Sequence, residues 1–219
     1  MPLELLRNGR GTKPLLLLHG FGATAEDLYP IGELPQAAAF YGLYPRAPKQ
    51  ITVSGQNIGR AWFPREDTEL SQALFGSYFS SLESLDPPGL VESGREVYEL
   101  LESEAVRFEH LVVGGFSQGA MVAIEAALAL ARNNRPPAAL LLFSGALIAG
   151  ERWRGELSLL RGVPVFQSHG TADPILDPKQ GAALGEALDE AGCRRVFYEF
   201  DGTHTIPQTA IDRAFSMLV

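Results

Sequence analysis

Apolar positions along this chain follow two patterns. In the first they succeed one another without a gap, at 15–18 (LLLL), 111–116 (LVVGGF), 138–144 (AALLLFS), 163–167 (VPVFQ) and 195–200 (RVFYEF). Runs of this kind suit strands covered on both faces, as in a parallel sheet. The second pattern is helical. Thr24 followed by Glu26 and Asp27 reads as an N-cap with acids in the first turn, predicting a helix to about Gln36 or Ala39. Gln118 to Arg132, rich in Ala, Leu and Met, predicts a buried helix. Asp177-Pro178 is a cap with Pro at the first helical position, opening a helix to about Ala191 that Gly192 stops. Residues 206–218 predict a terminal helix. Strands alternating with helices argue an α/β fold around a mostly parallel central sheet, with helices on both faces.

Residues 50–88 break this rhythm and read as a loop or short lid-like insertion. Within it Leu70, Ala73, Leu74, Phe75, Tyr78, Phe79, Leu82 and Leu85 fall on one helical stripe. Glu66, Asp67 and Glu69 precede the stripe, and Asp86-Pro87-Pro88 ends it.

The 219 residues are enough for one α/β domain, taken here as 1–219. A net charge of −8 supplies no basic surface for nucleic acid. The single cysteine, Cys193, can form no internal disulfide. The opening MPLELLR has an early acid and no apolar core, so it does not read as a signal peptide. The longest mostly apolar stretch, 137–150, is too short to span a bilayer. The expectation is a cytoplasmic protein with no integral membrane segment.

Candidate chemistry centres on Gly115-Phe116-Ser117-Gln118-Gly119, a Gly-x-Ser-x-Gly between a predicted strand and a predicted helix. That context is what a nucleophile elbow needs: a turn too sharp for flanking side chains, with the serine exposed above the sheet. The helix N-terminus then faces a developing oxyanion. A serine needs a base, and of His19, His110, His169 and His204 only His204 follows the last predicted strand. His169 reads as packing at a strand end, His19 as a brace for its glycine turn, His110 as a surface residue. The base needs an acid to fix its tautomer. Asp173, in the loop after the fourth predicted strand, is preferred; Asp177 is explained as a helix cap, and Asp201 would have to fold back on its own loop. The oxyanion donors are the backbone N–H of Gln118 and, from Leu18-His19-Gly20-Phe21-Gly22, that of Phe21. No His/Cys spacing indicates a metal, no Gly-Lys dipeptide indicates a P-loop, and no cofactor is expected.

At these residues the chain resembles the small carboxylesterase/phospholipase branch of the α/β-hydrolases, which includes acyl-protein thioesterases and lysophospholipases. The resemblance runs from Leu15 to the C-terminus. It rests on Leu18-His19-Gly20-Phe21-Gly22, Pro45-Arg46-Ala47-Pro48, Ala61-Trp62-Phe63, Gly114 to Gly119, His169 to Pro174 and Gly202 to Pro207. It implies an α/β-hydrolase fold, a cofactor-free serine esterase, a Ser117–Asp173–His204 triad, and Phe21 and Gln118 as oxyanion donors. It also places Trp62 and Phe63 near an acyl pocket. Pro64, where relatives often carry Asp, and Ala120, where they often carry a second Gly, depart from the pattern.

The reading is a carboxylesterase for short- to medium-chain esters, acting on a small-molecule ester through an acyl-enzyme. Thioester or lysophospholipid hydrolysis by the same triad is the alternative, and a homodimer is compatible with the reading. A ligand-binding relative without catalysis would show a damaged triad, and all three positions are filled. A dienelactone-hydrolase type would carry Cys at the elbow.

The aromatic stripe yields a test. An apolar wall contacting two or three methylenes, at about 0.8 kcal/mol each, shifts chain-length preference by roughly tenfold or more. Phe75→Ser combined with Phe79→Ser is expected to lower kcat/KM for hexanoyl esters far more than for acetyl esters; an equal fall would make the segment scaffold.

Overall fold

The computed structural model describes residues 3–63 and 83–218. Most of the predicted stripe, with Phe75 and Phe79, lies outside the described residues.

The five apolar runs all become strands. Around them the chain is ordered as β1 (Leu5–Gly9), β2 (Lys13–Leu18), β3 (Phe40–Pro45), β4 (Lys49–Val53), β5 (Gln56–Ala61), α1 (Pro88–Ser103), β6 (Val112–Phe116), α2 (Gln118–Arg132), β7 (Ala139–Phe143), α3 (Gly150–Glu156), β8 (Pro164–Gly170), α4 (Pro178–Glu190), β9 (Arg194–Phe200) and α5 (Gln208–Met217). Seven strands form one sheet in the order β1-β3-β2-β6-β7-β8-β9. Only β1 runs antiparallel to its neighbour; the other pairs are parallel. β4 and β5 form a separate antiparallel hairpin.

Side chains on successive residues leave opposite faces of the sheet, and each face has its own core. Leu16 and Leu18 of β2 join Val113, Leu140, Leu142 and Val165 beneath α1, α2, α3 and α4. Leu15 and Leu17 join Val112, Leu141, Phe143 and Phe166 against Ala210, Ile211 and Phe215 of α5. This is the α/β-hydrolase arrangement: a mostly parallel central sheet with helices on both faces.

Two departures from the sequence reading have local causes. The stretch predicted as one helix after Thr24 is three short 3₁₀ turns, Ala25–Asp27, Tyr29–Glu33 and Pro35–Ala37. Thr24 holds the cap position, and Asp27 reaches back to it, its carboxylate accepting the Thr24 N–H at 2.7 Å. Pro30 and Pro35 lack the N–H donors that a continuous helix requires, and each restarts the chain as a new turn. The second departure is α1, 16 residues long and not anticipated. It opens on Pro88, where a missing N–H costs nothing, so the prolines that end one predicted segment begin the next.

Below the sheet, α2 buries a carboxylate. Glu125 accepts from Trp153 Nε1 at 2.6 Å and lies 2.7 Å from Arg152 Nη1. Arg152 in turn forks onto Asp86 at 2.7 and 2.8 Å. The pair thus ties α2, α3 and the segment entering α1 together. Among the described residues no helix is long and apolar enough to cross a membrane.

Removing Glu125 leaves the buried Trp153 N–H without its acceptor, while Arg152 keeps Asp86. Glu125→Ala is therefore expected to cost about 1–3 kcal/mol in urea unfolding, and Glu125→Gln, which keeps an acceptor for Trp153, clearly less.

Candidate active site

The loops that carry Phe21, Ser117, Asp173 and His204 leave the C-terminal ends of parallel strands, where ligands of open α/β sheets bind. The elbow follows β6. Ser117 has φ 55° and ψ −119°, in the left-handed half of backbone space that side chains rarely adopt. Its N–H bonds the Phe143 carbonyl at 2.9 Å, and its carbonyl accepts from Ala120 N at 3.0 Å, opening α2. The flanking glycines are required by contact: a Cβ on Gly115 would stand 2.3 Å from the Gly119 carbonyl oxygen, and one on Gly119 would stand 2.0 Å from that of Leu18. The serine is more enclosed than its motif implies, at 6% exposure. The turn after β2 presses on it, since a Cβ on Gly20 would lie 3.3 Å from the Ser117 Cβ.

Asp173 follows β8 and His204 follows β9. His204 Nδ1 lies 2.6 Å from Asp173 Oδ2. Asp173 Oδ1 accepts from Ile175 N at 2.9 Å and Leu176 N at 3.0 Å. Burial alone would raise the Asp173 pKa. Hydrogen bonds from His169, His204 and the two backbone N–H groups outweigh it and hold the carboxyl well below the usual carboxylate range. With its Nδ1–H given to Asp173, neutral His204 offers Nε2 as an acceptor. Its ring tilts over Phe116, the residue before the serine, at 4.7 Å between centroids. A cavity of about 340 Å³ opens here, lined by His19, Gly20, Leu28, Phe116, His204 and Ile206 among others. The rival acid Asp177 caps α4 by accepting from Lys179 N at 2.9 Å.

His19 braces the turn after β2. Its Nδ1 donates to the Gly20 carbonyl at 2.9 Å and its Nε2 accepts from Ala47 N at 3.1 Å. Those partners suit only the neutral ring, and burial pushes its pKa down. Trp62 completes the brace: its N–H bonds Gln118 Oε1 at 3.0 Å, its Nε1–H the His19 carbonyl at 2.9 Å, and its carbonyl accepts from Ser93 Oγ of α1 at 3.0 Å. Trp62 and Phe63 are fully buried. Neither is among the residues lining the cavity beside His204.

Sequence reasoning missed two things. β8 runs on to Gly170, so His169 lies inside the strand and points at Asp173, with its Nε2 3.3 Å from Oδ2. The signal was the His169-x-x-x-Asp173 spacing across a glycine. The hairpin was missed as well. Arg60 of β5 clamps the turn after β2 through Gly22 N to Arg60 O at 2.9 Å and Arg60 N to Ala23 O at 3.1 Å. Cys193 takes no part: its thiol lies 3.4 Å from the Leu160 carbonyl, and burial raises its pKa to about 11. Among the described residues no group of three or more His, Cys, Asp or Glu side chains is placed to share a metal ion.

The sequence pattern of the phospholipase/carboxylesterase family matches residues 7–218. Acyl-protein thioesterase 1 of Eremothecium gossypii is 29% identical over 192 residues, 83% of this chain and 74% of its own. A putative hydrolase of Bacillus subtilis is 25% identical over 215 residues, covering 96% of this chain and 94% of its own. Among solved structures, esterase PE8 superposes with a TM-score of 0.79 at 23% identity, over 100% of this chain and 98% of that one. Acyl-protein thioesterase 2 of Zea mays superposes with a TM-score of 0.73 at 21% identity, over 99% of each chain.

His19 generates a pH test. Its folded-state pKa lies below the unfolded value, so the stability it provides is full above about pH 6.5 and is lost as pH falls through the folded value, at up to about 1.4 kcal/mol per unit. His19→Gln lacks this titration. Unfolding curves from pH 7 to 5 are expected to show the stability advantage of the wild type shrinking with acid; a constant gap would mean that His19 is not held neutral.

Proposed function

Since the chain belongs to the phospholipase/carboxylesterase family of α/β-hydrolases, we propose that it is a serine esterase working through Ser117, Asp173 and His204. One observation carries the reading: a short Asp173–His204 bond holds an imidazole over Phe116, the residue that precedes a serine in an elbow backbone. Ser117 Oγ attacks the ester carbonyl carbon while His204 Nε2 takes its proton. Asp173 stabilises the resulting imidazolium. Phe21 N–H and Gln118 N–H receive the negative charge of the tetrahedral intermediate, and the helix start at Gln118 adds its dipole. The leaving alcohol departs with the proton from His204. Water, deprotonated by His204, then attacks the acyl-enzyme, and the acid is released as Ser117 regains its hydrogen.

The substrates in this reading are short- to medium-chain carboxylic esters. A thioester or lysophospholipid substrate uses the same steps, and it is favoured by the similarity to relatives named acyl-protein thioesterases. The two separate when rates on oxygen and sulfur esters of one acyl chain are compared. A large excess on the sulfur ester would assign the thioesterase role.

Ser117→Ala is expected to fold and to lose up to about 10⁶ in kcat. A fluorophosphonate probe should label Ser117 in the wild type and nothing in the variant. Labelling elsewhere with activity retained would overturn the assignment.

A further inference from the structure

His169 is a buried histidine that the proposed reaction leaves idle. Its Nε2 lies 2.9 Å from the Leu176 carbonyl oxygen and 3.3 Å from Asp173 Oδ2. Both oxygens can only accept, so Nε2 carries a hydrogen, which bonds the Leu176 carbonyl with Asp173 Oδ2 close beside it. The opposite nitrogen, Nδ1, is buried without a hydrogen-bond partner. It abuts Gly181 of α4, where a Cβ would stand 2.4 Å from it. The ring therefore cannot back away from the carboxylate, and glycine at 181 is what lets it fit.

Asp173 Oδ2 thus meets two histidines, His204 at 2.6 Å and His169 at 3.3 Å. Oδ1 is committed to the backbone of Ile175 and Leu176. The titratable groups facing His169 are Asp173 and, from the start of α4, Asp177. We propose that His169 is a positioning residue for hydrolysis: its Nε2–H fixes Asp173 Oδ2 and withdraws part of the charge that this oxygen presents to His204. The proposal rests on the triad assigned above. A carboxylate sharing its charge with a second donor favours the His204 imidazolium less, and the base is correspondingly easier to regenerate.

Nitrogen-15 NMR on the folded wild-type protein tests the contact without any kinetics. His169 is expected to carry its hydrogen on Nε2, and that proton resonance should move upfield in Asp173→Asn. A bare Nε2, or a resonance indifferent to Asp173, overturns the proposal. Kinetics tests the consequence. His169→Leu removes the donor at similar volume, while His169→Gln can present an N–H to the same oxygen. The Leu variant is expected to shift the acid limb of kcat/KM up by about half a pH unit or more. Its kcat and kcat/KM should fall together by about tenfold, with KM held. The Gln variant should keep the wild-type limb. If both variants only lower the unfolding midpoint and leave the pH limb in place, His169 is structural and the proposal fails. Should Ser117→Ala retain activity, the triad reading fails, while the NMR result still reports the His169–Asp173 contact independently.

Discussion

The site is hung on the backbone of Ser117. A positive φ at a residue with a side chain costs on the order of 1–3 kcal/mol, and it persists only when its surroundings over-determine it. Here they do. β6 lies between β2 and β7, and both neighbours hold the turn. Phe143 of β7 takes the Ser117 N–H. Gly119, at the start of α2, lies so close to the Leu18 carbonyl of β2 that no side chain fits between them. The helix is thereby driven against the strand ends, and the serine is left beside the turn after β2.

Those loops need fixing in turn, and buried polar atoms supply it. Leaving a buried donor or acceptor unmatched costs about 1–3 kcal/mol, so each matched one resists displacement of its segment. Trp62 has partners for its N–H, its ring N–H and its carbonyl on three different segments: α2, the turn after β2, and α1. His19 joins that turn to Ala47, and Arg60 joins it to the hairpin. Trp62 and Phe63, next to the proposed acyl pocket in sequence, are wholly buried. The Trp62 bonds hold the start of α2 and the turn after β2 to one another.

How much of this was legible follows from where each signal resides. β2, β6, β7 and β8 are buried on both faces, so their sequences are apolar on successive residues and can be read directly. The elbow and the loops proposed to carry acid and base are local motifs, and Ser117, Asp173 and His204 are candidates on that ground alone. β1 was not seen because it is an edge strand of mixed burial, LLRNG, with no periodic signature. After Thr24 the cap and the acids predict a helix start, while Pro30 and Pro35 decide that it cannot continue, and 3₁₀ turns form instead. α1 was missed for the complementary reason: Pro88 was read only as a terminator. The His169 contact turned on strand length. Ending β8 at Gln167 leaves that ring at the margin, and three more residues of strand aim it at the acid.

Three histidines in this site show environment assigning role to one residue type. His19 gives one nitrogen to a carbonyl and takes an N–H on the other, so both are spent on backbone and the neutral ring can exchange no proton. His169 is fully buried, with one nitrogen shared between a carbonyl and a carboxylate and the other against Gly181. It can hold a proton but has nowhere to deliver one. His204 alone combines a carboxylate on Nδ1 with 14% exposure of its side chain and a place on a cavity wall. A base must reach substrate and solvent on one side while its partner fixes it on the other, and of the three only His204 meets both conditions. Asp173, the proposed acid, is held by four donors, two from backbone and two from histidine rings, which is why so deeply buried a carboxyl stays charged.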